Sequence, residues 1–153
     1  MAGTGGELGA VLDIPCQNRN SHKLLAQKEE RENPMNQGTA HGIVKKYHQA
    51  WTTGDIDTAM SCVSKDIICR APGIDLKGIN AYRDFIGGFA PMLTGIGEIA
   101  EFAEGDRVAL FYYPQTAVTA TTPAAEYFTV EDGLIVHSVL IFDRMSYRPT
   151  GQA

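Results

Sequence analysis

The chain has 153 residues, 44% of them hydrophobic and 20% charged, and a formal net charge of −5. Such a chain suits one globular domain with a core large enough to fold unaided. The acidic balance, with Lys45-Lys46 as its one adjacent basic pair, excludes nucleic acid as an expected partner, and no apolar run approaches the ~20 residues that a membrane helix needs.

Residues 1–36 read as an N-terminal extension. Gly3, Gly5, Gly6 and Gly9 dilute its start, and the rest is mostly polar around Leu24-Leu25. A short helix over 22–31 has only a thin apolar stripe, and Asn33-Pro34 is a linker signal. This segment is expected to be loosely ordered and to add little stability. It lacks the basic region and apolar core of a secretory signal. The compact domain is expected over 37–147, followed by a tail over 148–153.

A first helix is predicted over 40–53, because Ile43, Tyr47 and Trp51 recur every four residues and share one face. His41 and His48 fall off that stripe and are expected in solvent. Gly54 can take the left-handed conformation that ends a helix, and Asp55 can cap the next one, predicted over 56–63. The β-prone run 67–71 stops at Pro72-Gly73. A third helix is predicted over 79–93, placing Phe85, Phe89 and Met92 against a sheet. Gly87-Gly88 weakens its middle, which suggests close packing or a bend.

Strands are expected over 96–103 and 108–113, the second broken by Pro114, and then over 124–130 and 134–142. Glu131-Asp132-Gly133 is a hairpin signal between the last two. Helices followed by a strand meander argue for an α+β fold, not a parallel α/β sheet.

Three cysteines, Cys16, Cys62 and Cys69, are odd in number and lack C-x-x-C spacing. Neither a disulfide framework nor a zinc site follows, and a reducing cytoplasm is the expected compartment. No His, Cys or carboxylate pair has metal-ligand spacing, so no metal or cofactor is expected.

The Trp51-Thr52-Thr53-Gly54-Asp55 stretch, the Tyr82-Arg83-Asp84-Phe85 helix and the segment 126–136 (EYFTVEDGLIV) resemble the SnoaL-like, ketosteroid-isomerase-like superfamily, also called nuclear-transport-factor-two-like. The resemblance covers about 38–146. It implies a cone-shaped α+β barrel, with a curved antiparallel sheet wrapped around three helices and a central apolar pocket. It implies isomerase, polyketide-cyclase or dehydratase chemistry, or a purely ligand-binding or dimerisation module, and fixes fold better than function.

Carried over residue by residue, the resemblance sets Tyr47 where ketosteroid isomerases have their oxyanion-hole tyrosine. It sets Glu126 where they have a protonated carboxylic acid. Two such donors can stabilise an enolate oxygen; ketosteroid isomerase is the standard example of this chemistry. Trp51, Phe89, Phe128, Phe142 and Ser138 are the expected substrate-binding walls. The family's general-base Asp precedes a Pro, and here that residue is Ala71, which cannot take a proton. Arg70, beside it, points to the opposite face of a strand and is permanently cationic. The epoxide-hydrolase relay of the same superfamily is not matched by Asp143-Arg144.

The expected ligand is therefore a small apolar carbonyl compound, with Tyr47 and Glu126 as the polar pair. A non-catalytic module is the alternative, favoured by Ala71. The row Ile135, His137, Val139 and Ile141 is expected on the outer face of the last strand, as a homodimer interface.

Overall fold

The computed structural model describes residues 39–149. The extension over 1–36, its helix over 22–31, Cys16 and residues 150–153 lie outside the described residues.

Helix α1 spans Ala40–Thr52 and begins where the Thr39 side chain accepts from the Gly42 N–H at 3.2 Å. Its stripe of Ile43, Tyr47 and Trp51 is buried, with Val44 beside it. It ends because Gly54 takes a φ of 87°, which an L side chain rarely adopts. That turn sends the N–H groups of Gly54 and Asp55 back to the carbonyls of Trp51 and Ala50. The Asp55 carboxylate then accepts from the Thr58 N–H at 3.0 Å and starts α2, Ile56–Ser61. This helix stops short of the expected 63, because Val63 pairs with the last strand instead.

Strand β1 runs Val63–Ala71 and turns at Pro72-Gly73 into β2, Ile74–Lys77. Helix α3, Ile79–Phe89, is followed by a 3-10 turn, Ala90–Met92. The expected helix to 93 ends early, because Pro91 lacks the N–H that would continue it. Met92, expected against the sheet, is exposed; Tyr82 and Ile86 are the buried residues of this helix. Gly87 and Gly88 are not sites of close packing either, since a Cβ at each would meet nothing within 4 Å.

Four long strands follow: β3 Leu93–Glu104, β4 Arg107–Thr116, β5 Ala124–Glu131 and β6 Leu134–Phe142. Pro114 does not break β4 as expected. Pairing with β5 ends at Tyr112↔Ala124, so Pro114 lies where β4 has only β3 beside it. Asp132 and Gly133 both have positive φ, 50° and 77°, as the tight β5–β6 turn requires. A 3-10 turn, Arg144–Tyr147, closes the described chain.

The six strands form one curved, unclosed sheet in the order β2-β1-β6-β5-β4-β3. Neighbours are antiparallel except β1 and β6, which run parallel. The core lies between this sheet and the helices, joining Val44, Tyr47 and Trp51 to Tyr82, Val108, Leu110 and Phe128. The architecture is the α+β cone expected from the sequence.

One register shift changes which residues face inward. Thr129 pairs with His137 but Val130 pairs with Ile135, leaving Val136 as an extra residue on β6. The bulge turns Ile135 into the core, where it is fully buried. Ile135 therefore does not belong to the outer row with Val139 and Ile141.

Candidate functional site

An apolar cavity of about 110 Å³ opens between α1, α3 and the inner face of β4–β6. Trp51 from α1 and Phe85, Ile86 and Phe89 from α3 form one side. Tyr112, Glu126, Leu140 and Phe142 from the sheet form the other, with Pro114, Ala124 and Tyr147 completing it. Side-chain alternation explains the sheet half. Leu110, Tyr112 and Pro114 share one face of β4; Ala124 and Glu126 share one face of β5; Leu140 and Phe142 share one face of β6.

Glu126 is the one carboxyl among these walls. It is 2% exposed, and its Oε2 has no hydrogen-bond partner among the described residues. Burial pushes its pKa up from 4.5 to about 7, opposed by a hydrogen bond with the Tyr112 side chain. The Trp51 indole N–H is a second buried polar group without a partner, and its residue lines the side of the cavity opposite Glu126.

Tyr47 is buried but is not among the lining residues. Its hydroxyl bonds the Tyr82 hydroxyl at 2.6 Å, and its ring meets Phe128 edge-on at 5.6 Å. Burial first, and then the neighbouring Tyr82 and Glu126, raise its pKa far above that of an ordinary phenol. Phe128 and Ser138 are likewise buried behind the cavity rather than on it. Ser138 sits beside Cys69 and Tyr82, and burial lifts the Cys69 thiol to about 11, far from a reactive thiolate. The structure thus brings Glu126, Trp51, Phe89 and Phe142 together and sets Tyr47, Phe128 and Ser138 in a layer behind them. Tyr47→Phe strips Tyr82 of its partner; a stability loss of ~1–2 kcal/mol is expected in urea unfolding, with little change in ligand binding.

His48 is not solvated as expected. Its ring lies edge-on to Tyr112 at 4.6 Å and to Trp51 at 5.6 Å, and Nε2 is buried without a partner. Burial lowers its pKa to about 4, opposed by Glu101, so it is neutral at pH 7. His41 instead pairs with Glu101. His137 is exposed, and Ala71 is partly buried off the cavity.

Tyr112 and Tyr147 are the functional candidates that the sequence reading missed. Tyr112 carried a usable signal, since it alternates with Val108 and Leu110. Tyr147 carried a weaker one in Asp143, which caps the turn by accepting from the Met145 N–H at 2.9 Å. Among the described residues no group of three or more His, Cys, Asp or Glu is placed to hold a metal, and no helix is long and apolar enough to cross a membrane.

A family model for the SnoaL-like domain matches residues 44–138. Among solved structures, a protein from Kribbella flavida DSM 17836 is similar at 35% identity, with a TM-score of 0.68, over 72% of this chain and 91% of that one. An NTF2-like protein of unknown function from Cytophaga hutchinsonii is similar at 18% identity, with a TM-score of 0.61, over 70% and 92%. A putative polyketide cyclase from Sinorhizobium meliloti is similar at 17% identity, with a TM-score of 0.58, over 65% and 93%. The last two likenesses establish the fold alone. No curated protein matches the chain.

Proposed function

The chain belongs to the SnoaL-like domain family, and from that premise we propose that it binds a small apolar carbonyl compound and moves a proton on it without a cofactor. The observation that carries this is Glu126, the single carboxyl on an otherwise apolar cavity, with a pKa of about 7 and an unpartnered Oε2. A group with that pKa holds comparable amounts of acid and carboxylate at neutral pH, which suits it both to take and to return a proton.

In the proposed step the carboxylate removes a proton from the carbon next to the carbonyl. The electron pair moves onto the carbonyl oxygen, and the donor proposed for that oxygen is the Trp51 N–H, which is buried without a partner. The proton then returns from Glu126 to another carbon, giving an isomer, or the enolate carbon attacks a second carbonyl of the same molecule, whose oxygen takes the proton from Glu126, giving a ring. The family's Asp base is not needed, because one carboxyl fills both proton roles. Tyr47 becomes a support residue that holds Tyr82, replacing the direct role that the resemblance implied.

Proton exchange tests this. In D₂O the protein should catalyse deuterium incorporation next to the carbonyl of a one-ring enone, followed by NMR, and Glu126→Gln should not. Binding without exchange would favour the second candidate, a non-catalytic binding module. Two observations support that candidate: Ala71 stands at the family's base position, and the Tyr47 hydroxyl is already engaged by Tyr82.

The assembly we propose is a homodimer through the outer face of the sheet. Register brings Phe102, Ala109, Tyr127 and Val139 into one row and Ala100, Phe111, Ala125 and Ile141 into the next. Phe102 and Ile141 are 63% and 62% exposed, and Phe111 and Tyr127 are exposed beside them. A patch of this kind on a lone chain is an aggregation risk. Ile141→Glu should convert dimer to monomer in sedimentation; a wild-type monomer would refute the assembly.

A further inference from the structure

The cavity has one wall that belongs to neither a helix of the core nor the sheet. Tyr147 closes the 3-10 turn after β6. Its ring meets Phe89 at 5.7 Å and Phe142 at 5.6 Å, both edge-on. Its hydroxyl donates to the Thr122 carbonyl at 3.1 Å, in the connection between β4 and β5. One side chain thus bridges α3, β6 and a loop across the side of the cavity.

The turn that carries it is tied down separately. The Asp143 carboxylate accepts from the Met145 N–H and from the Ser146 hydroxyl, the latter at 2.6 Å. The Arg144 guanidinium donates to the Pro72 carbonyl at 3.1 Å. The base of the turn is therefore fixed, while the Tyr147 ring is half-buried and held by one hydrogen bond and two ring contacts. A hydrogen bond of this kind contributes ~1 kcal/mol, small enough for a ligand to displace.

Size supplies the second half of the inference. An apolar cavity of about 150 Å³ is known to hold benzene, and this one measures about 110 Å³. The cavity is thus smaller than one that holds benzene, so with Tyr147 in place its volume leaves room for one small ring at most. Phe85, Ile86 and Phe89 sit on α3, and Tyr112, Leu140 and Phe142 sit on paired strands, so these walls are fixed by the fold. Tyr147 is the lining residue on a short turn beyond the sheet.

We propose that Tyr147 is the specificity-determining residue of the cavity and limits its occupants to single-ring compounds. The proposal rests on the cavity described above as the binding site, but not on any proton transfer by Glu126.

The chain's single tryptophan, Trp51, lines the cavity, so its fluorescence reports occupancy directly. Titration with cyclohexanone and with the fused two-ring 2-decalone gives the two affinities in the same protein. Tyr147→Ala should raise the 2-decalone to cyclohexanone affinity ratio by about tenfold or more, the scale on which pocket size discriminates ligands. Tyr147→Phe keeps the ring and loses the hydroxyl bond; it should shift the ratio the same way by about threefold, the worth of a weakened hydrogen bond. It carries the test if the alanine variant does not fold.

A ratio within about twofold of wild type in the folded variants would overturn the proposal, since it leaves no size selection to assign to the ring. If neither ketone perturbs Trp51 in any variant, the cavity fails as a site and this inference fails with it. Size selection in a protein whose Glu126→Gln variant keeps full exchange activity, or whose wild type shows none, would separate the two, sinking the proton-transfer role and upholding Tyr147.

Discussion

Glu126→Gln is expected to lower turnover on a carbonyl substrate by ~100-fold, because proton transfer by a positioned group is typically worth at least that much. The amide keeps the size and a hydrogen-bond donor, so cavity shape and ligand affinity should hold. The loss should fall on kcat, with KM little changed. Any turnover by the wild-type protein should bend in its pH profile near 7, where Glu126 titrates. A variant with full turnover would show that Glu126 is not the proton-transfer group, and no other carboxyl lines the cavity to take its place.

The same carboxyl should make the protein less stable as the pH rises. Its folded-state pKa of about 7 lies above the ordinary 4.5 because burial penalises the charged form. Between those two values the native state binds more protons than the unfolded state, so stability falls with increasing pH. The loss begins near 4.5, grows through about 7 and is complete above it. A displacement of this size corresponds to roughly 3 kcal/mol, a large share of the 5–15 kcal/mol typical of a domain. Glu126→Gln removes the titration, so urea midpoints of variant and wild type should coincide near pH 4 and separate at pH 8 in favour of the variant. Equal midpoints at pH 8 would mean that the carboxyl is solvated when charged. The two expectations together describe one residue that weakens the fold and performs the chemistry.

Features with local causes were the ones legible in the sequence. The four-residue spacing of Ile43, Tyr47 and Trp51 gave α1 and its inward face, and Gly54-Asp55 gave the break and restart, because left-handed turns and caps are written in single residues. The resemblance, carried over residue by residue, put Glu126 in the pocket with its apolar walls. Features that depend on partners were not legible. β2 is four residues long and has no pattern of its own, so Pro72-Gly73 read as a stop when it is the turn of a hairpin. The bulge at Val136 is set by pairing with β5, and without it Ile135 falls on the wrong face. Tyr47 and Trp51 share a stripe, yet only Trp51 reaches the cavity, because Tyr82 on α3 meets the Tyr47 hydroxyl first. His48 looked solvated because α1 alone does not reveal that β4 covers its side with Tyr112.

The parallel pairing of β1 with β6 has a consequence for how the chain comes into being. Among the described residues β1 is the first strand and β6 the last, and the two meet side by side through Ile68↔His137 and Cys69↔Ser138. Until β6 has been synthesised, the β1–β2 hairpin and the β3–β5 meander have no strand between them to join them. Contacts this distant in sequence are slow to form, since a long loop must close before they are rewarded. On the ribosome the sheet can therefore complete only after residue 142 has emerged. Leu140 and Phe142 line the cavity and Ser138 lies just behind it, so a chain cut before β6 should yield no partial binding site, only an aggregation-prone fragment with open strand edges.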